Sequence, residues 1–453
     1  MLKRCLVLAV AVALALGSVG VADTSEGGKH APALARKTVS EDPAESAAAI
    51  AALRSRGPAG LDAFLEAFAS ELGNREIEIG ATAARPTPRE SQRVRAALDQ
   101  VCAQRDCSAS HLFWYTDLNE ALGAAKSSGK PILSLRLLGK LDEELSCANS
   151  RFFRLILYSN AEVSALLRDR FILHWQSVRP VPIVTIDFGD GRKLQRTLTG
   201  NSIHYILDTD GRPMDALPGL YGPQAFIRRL ERAARVAASS AAATNNAERA
   251  AVLRQYHETS INELAAAWEA DVTKANLSSA PSREPLRPDV QTSASPRAEL
   301  AAAVTVAKRA VVERPVLRGI SPDPKALDPR GEDAAWARIA DLHSADARLD
   351  ASSKLLMRAK NPGLYGGSEA PAKASFERAI NKLERAIAED TVRNEFVIHS
   401  KIHEWLARGM ETDLDALNER VYAELFLTPR SDPWLGLFPR DSYTGIENDG
   451  IKK

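Results

Sequence analysis

Apolar positions in this chain recur first at helical spacing, then gather into short branched runs, then return to helical spacing. From residue 43 to about 72, Ile50, Leu53, Leu61, Phe64, Leu65 and Phe68 fall on one face, interrupted at Gly57-Pro58, which predicts a helical hairpin. Residues 73–88 read as a loop and 89–101 as a further helix. The run His111-Leu-Phe-Trp-Tyr115 is a candidate strand. Asp117 and Glu120 then form a capping box for a helix with Leu118, Ala121, Leu122 and Ala125 on one side. Lys130-Pro131-Ile132 launches an apolar run to Leu138, as expected of a strand buried mid-sheet. A helix between two strands this close predicts a crossover to a parallel neighbour.

A helix starting near Cys147 places Phe152, Leu155 and Ile156 together. A second, after Asn160, does the same with Val163, Leu166 and Leu167, before 171–175 turns extended. Residues 183–188 and 193–198 flank Gly189-Asp190-Gly191, and 203–207 and 213–217 flank Asp210-Gly211. Both read as hairpins. Gly222-Pro223 opens a helix through Phe226, Ile227 and Leu230. Ala, Glu and Arg then dominate to about 274, and 276–297 is Pro- and Ser-rich without periodicity. Helical spacing resumes over 297–312, 333–349, around Leu355, over 371–407 with a break near Asp390, and over 413–426. The tail 428–439 is too apolar and Pro-rich to stand free and is expected to pack back.

At 453 residues the chain exceeds one ordinary core, and the 59 Lys and Arg balance the 58 Asp and Glu. That near-neutrality gives no reason to expect nucleic acid or an anionic membrane as partner. Residues 1–22 carry Lys3 and Arg4, a short apolar run and the small residues Gly20-Val21-Ala22, the order of a secretory signal. Export to a periplasmic or extracellular space follows, with no membrane association once the signal is removed. Three cysteines then remain, Cys102, Cys107 and Cys147. In an oxidising compartment Cys102 and Cys107, the nearest in sequence, are expected to pair and leave Cys147 over.

The order strand, helix, strand, cysteine-bearing helix, strand, hairpin, helix over 108–235 resembles the thioredoxin superfamily, notably in Lys130-Pro131-Ile132 and Asp208-Thr209-Asp210-Gly211. Counting back from Val163, the resemblance puts Cys147 on the family's nucleophilic cysteine and Ser150 on its second, giving Cys-x-x-Ser. Ser202 falls on the family's cis-proline, and Ser146 replaces the aromatic before the first cysteine. The expected fold class is α/β: a thioredoxin-like domain at 108–235 between an N-terminal helical region at 43–107 and a mostly α-helical C-terminal region. The other segments are a signal peptide at 1–22, a disordered leader at 23–42, a helix at 236–275, a linker at 276–297 and helices at 298–453.

Cys147 near a helix N-terminus would have its thiolate favoured by the helix dipole, with Arg151 and Arg154 adding to this and Asp142, Glu143 and Glu144 opposing it. A Cys-x-x-Ser cannot close its own disulfide, so such a site would act as a monothiol on a protein thiol or disulfide client. The second reading is a non-catalytic scaffold that binds a protein through the hairpin 179–199 and the C-terminal helices, with Cys147 a buried apolar residue. The third uses His399 and His403, four apart with Glu395 a turn earlier, as metal ligands for hydrolysis. There the stripe Ile398, Ile402, Trp405 and Leu406 takes the buried face, so the histidines are expected on its shoulder and metal-free. His174 and His204 read as core histidines and Asp187 and Asp190 as turn residues. No cofactor motif is present, and oligomeric state is not legible.

Overall fold

The computed structural model describes residues 24–72, 88–198, 200–287, 297–304, 317, 328–367, 369–409, 412–438 and 445–451. The expected signal peptide at 1–22 and most of the loop at 73–88 lie outside these. The chain is mixed α/β, with a small mixed sheet enclosed by helices.

Five helices come first: α1 (Thr24–Lys37), α2 (Pro43–Arg54), α3 (Pro58–Ala67), α4 (Ala69–Leu72) and α5 (Pro88–Cys102). The leader expected to be disordered is therefore largely α1, because its apolar side has somewhere to go. Ala35 is buried among Ile50, Leu53, Phe64 and Phe68, and the Arg36 guanidinium lies 4.5 Å over the Phe68 ring. Cys102 and Cys107 lie at disulfide distance at the end of this cluster.

The expected strand at 111–115 shrinks to one parallel bridge, Tyr115 to His174. The reason is local: His111 takes a left-handed φ of 49°, and the Trp114 amide donates to Cys102 O (3.0 Å), so the run turns to the Cys102–Cys107 loop. Helix α6 (Leu118–Ser128) then starts where Asp117 accepts from the Asn119 and Glu120 amides, and stops at Gly129, whose φ of 71° suits glycine.

The sheet runs β2-β1-β5-β6, from β1 (Ile132–Leu138), β2 (Ile172–Arg179), β5 (Ser202–Leu207) and β6 (Pro213–Pro218). Strand β1 is parallel to β2, with Leu135 opposite Trp175, and antiparallel to β5, with Leu135 opposite His204. Strands β5 and β6 are antiparallel, with Ile206 opposite Asp215. Every residue of β1, β5 and β6 is buried, so helices cover both faces and the unbroken apolar runs are explained. Between β1 and β2 come α7 (Ala148–Phe152), a π-helical segment Phe153–Leu157, and α8 (Ala161–Arg170), which Asn160 caps. The hairpin β3 (Ile183–Asp187) and β4 (Lys193–Thr197) forms a separate two-stranded sheet. Its turn holds Asp187 on the Gly189 amide and Asp190 on the Arg192 amide, both at 3.0 Å, which is turn chemistry as expected.

Helices α9 (Pro223–Ala241), α10 (Asn246–Lys274), α11 (Ala298–Ala303), α12 (Asp333–Leu342), α13 (Ala351–Lys360), α14 (Pro362–Tyr365), α15 (Ala370–Arg393), α16 (Ser400–Ala407) and α17 (Leu414–Arg420) follow. They do not form a separate C-terminal unit. One continuous core runs from Leu112 and the sheet through Trp268, Trp336 and Ile387 to Phe426, because β6 has helices against it that come from both sides of the chain's middle. The expected break near Asp390 is absent: α15 passes through a π-helical segment Asn394–His399 directly into α16. The described part of the expected linker packs as well. The Ser282 amide donates to Glu332 (3.0 Å), and Arg283 lies 5.8 Å over the Trp268 ring. As expected, the tail packs back, with Thr428 and Leu435 buried.

Candidate functional site

Cys147 caps the N-terminus of α7. Its Sγ accepts from the Ser150 amide (3.4 Å), and its own amide donates to Leu138 O (3.3 Å), which ties it to the end of β1. The sulfur therefore serves as the side-chain acceptor at the N-cap of this helix. Access is another matter, because Cys147 is 0 % exposed.

Three elements build the wall around it. Gly200 lies so close that a Cβ there would stand 2.4 Å from Cys147 Cβ. The end of β4 crosses the helix start: Thr197 Oγ1 donates to Ser146 O (3.3 Å) and accepts from Arg151 (3.0 Å). The C-terminal segment then closes over the loop that leads into β5. Tyr422 donates to Asn201 O (2.9 Å), and the Asn201 amide group donates to Phe426 O (3.3 Å). From the end of β2, Arg179 grips the same segment at Thr428 O (2.9 Å) and Asp432 O (3.0 Å).

The neighbours expected to tune the thiol are engaged elsewhere. Ser150 Oγ bonds Ser146 Oγ and donates to Cys147 O (3.1 Å). Arg154 is buried and donates to Leu141 O (3.2 Å) and Glu143 O (2.7 Å). Glu144 turns outward to Lys360 (2.9 Å) and Arg105. Ser202 is wholly buried as the first residue of β5. His174 and His204 are hydrogen-bonded core histidines as expected, to Ser134 Oγ (2.8 Å) and the Tyr158 hydroxyl (2.6 Å), and burial lowers each to about 3.

A second group of polar residues converges deeper. The expectation that His399 and His403 sit on a helix shoulder is overturned: both are 0 % exposed. Both face inward because β6 and α10 pack on the side opposite the apolar stripe. The two rings stack with centroids 4.1 Å apart. From β6, Asp215 Oδ1 lies 2.8 Å from His399 Nε2 and 4.0 Å from His403 Nδ1. From α10, His257 Nδ1 lies 2.9 Å from His403 Nδ1, and the Tyr256 hydroxyl donates to Asp215 Oδ2. Glu395 Oε1 stands 3.9 Å from His399 Nδ1 and is itself paired with Arg229.

The electrostatics follow from this packing. Burial works against a charged His399, but Asp215 and Glu395 outweigh it and raise the ring to about 9. Burial likewise opposes the Asp215 carboxylate, yet His399 beside it holds the group well below the usual range. Burial and the neighbouring His399 push His403 far down, and burial lowers His257 to about 4. The arrangement sets one carboxylate beside imidazoles, and these are donor types that metal centres use. The ligand atoms of Asp215, His399 and His403 all lie within 4.8 Å of one another.

Reasoning from sequence found His399 and His403 but missed Asp215 and His257. A lone carboxylate inside the apolar run Met214-Asp215-Ala216-Leu217 was the available signal, because an unpaired charge there has no bland explanation. Comparison with family models, with curated proteins and with solved structures returns no match for this chain. Among the described residues no helix is long and apolar enough to cross a membrane.

Proposed function

We propose that this is an exported, non-catalytic member of the thioredoxin-like class, a scaffold in which the thiol position has been absorbed into the core. Two observations support the class. The sheet order β2-β1-β5-β6, with a parallel pair followed by antiparallel strands, and the cysteine at the start of the helix after the central strand are those the resemblance implies. The order of residues 1–22 supports export, as does the pairing of Cys102 with Cys107.

The complete burial of Cys147 behind Gly200 carries the choice of scaffold over monothiol. Attack on a disulfide needs the sulfur in line with an incoming sulfur, and here the C-terminal segment occupies the loop where a client would lie. The hairpin remains as the surface offered outward: Ile183 (50 % exposed), Ile186 (42 %) and Phe188 (54 %) are the large apolar residues of β3 and its turn.

Alkylation of the mature chain by iodoacetamide tests this. Cys147 is expected to stay unmodified in the native protein and to react fully in denaturant, where its native protection is lost. Modification under native conditions at the rate of an ordinary thiol would instead establish the monothiol. Mass spectrometry of the secreted chain is expected to find a start just after Ala22.

A further inference from the structure

Asp215, His257, His399 and His403 come from β6, α10 and the α15–α16 helix, so nearly two hundred residues of chain must fold before they meet. We propose that Asp215, His399 and His403, with His257 packed behind His403, form a buried structural site for one divalent transition metal of the zinc class. This departs from the expectation of a metal-free helix face.

The geometry carries the assignment. Ligands at 2.0–2.1 Å around a tetrahedral ion place donor atoms about 3.3 Å apart. Here Asp215 Oδ1 is 2.8 Å from His399 Nε2 and 4.0 Å from His403 Nδ1, separations that bracket that value, and the ligand atoms of these three residues all lie within 4.8 Å of one another. His257 is outside this trio and meets His403 from behind, Nδ1 to Nδ1 at 2.9 Å.

His257 and His403 turn the same nitrogen toward each other, so one of the two carries the proton of that contact and helps to fix the orientation of the His403 ring.

A second layer also fits. Tyr256 holds the far oxygen of Asp215, and Glu395, fixed by Arg229, stands behind His399. Carboxylates and hydroxyls behind metal ligands orient them in this way. Imidazoles with one carboxylate suit zinc better than calcium or magnesium, which prefer all-oxygen sets. The site is structural because His399 and His403 are 0 % exposed, Asp215 1 % and His257 2 %, which leaves no open position for substrate. Its effect is to fasten strand β6 to two helices that lie on either side of the 276–297 segment in sequence.

Metal analysis of the mature chain purified without chelator tests the proposal, followed by stripping and titration with Zn2+ and Co2+. One equivalent of metal is expected, with a Co2+ absorption spectrum of tetrahedral nitrogen and oxygen ligation. Zn2+ at a hundredfold excess over its Kd should raise Tm by about 3 °C. His403→Gln should abolish stoichiometric uptake. Should that variant fail to fold, Glu395→Gln, which touches no metal, is expected to weaken Zn2+ binding about 10- to 100-fold. Folded wild-type protein that holds only substoichiometric metal and gives no Co2+ spectrum would overturn the site. So would uptake unchanged in either variant.

Discussion

Gly200→Ala measures how tightly the wall around Cys147 is built. The new methyl would stand 2.4 Å from Cys147 Cβ, 3.2 Å from its Cα and 3.6 Å from the Ala148 amide nitrogen. Carbon atoms prefer separations of about 3.5–4.0 Å, so the first contact is prohibitive as built. Neither atom is the end of a flexible side chain, so the loop or the helix start must move. The loop is held by Tyr422 and Asn201, and Ser202 is already paired with Leu137 in the sheet. Overpacking of this kind costs about 1–3 kcal/mol. The stiffer unfolded chain returns about 0.4–1 kcal/mol of that, leaving a net loss on the order of 1–2 kcal/mol.

Urea unfolding followed by far-UV circular dichroism would read this difference. Cys147→Gly removes the opposing Cβ while keeping a residue tolerated at a helix N-cap. The double variant should therefore be more stable than the two single losses add up to, by about 1 kcal/mol. Native alkylation of Cys147 should also rise in Gly200→Ala if the loop is what moves. A Gly200→Ala protein within about 0.5 kcal/mol of wild type, with no coupling to Cys147→Gly, would refute the close approach and the buried-thiol argument with it.

Two further outcomes are expected. Reduction of the Cys102–Cys107 pair should cost about 2 kcal/mol, the value for so short a closed loop, and a non-reducing peptide map should show the two peptides linked. Glu144→Gln should weaken the protein at neutral pH by no more than about 1 kcal/mol, since the group is about half exposed and screened. Burial opposes the Glu144 carboxylate, but Lys360 and Arg105 overcome this and lower it to about 2. Its contribution is thus present above the ordinary value near 4.5 and lost as pH falls through about 2, so wild type and variant should converge across that window in urea titrations.

Local signals in the sequence were read correctly where the determining contacts are close by. Asp117 and Asn160 cap the helices they precede, Gly189-Asp190-Gly191 makes its hairpin, and β1 lies in the middle of its sheet. Misreadings arose where a distant element decides. His111–Tyr115 has strand composition, but the Cys102 carbonyl captures the Trp114 amide. His399 and His403 looked peripheral because the apolar stripe beside them already explained one buried face. Nothing near residue 400 announces that β6 and α10 cover the other. The pairing of Asp215 with residues some 184 positions away is a tertiary fact with no local trace. The burial of Cys147 is similar in origin, since part of its wall is supplied by residues 422–432.

That last arrangement has a temporal side. Synthesis proceeds from the N-terminus, and β1, α7 and β5 can assemble as soon as they emerge. The Tyr422 hydroxyl and the Phe426 carbonyl reach the Asn201 loop more than two hundred residues later. For that interval the sulfur of Cys147 lacks its last cover, and on the export proposed above it would do so while Cys102 and Cys107 are being oxidised. An exported nascent chain would therefore be most open to mispairing just before its end arrives, and the closing of the C-terminal segment would end that exposure.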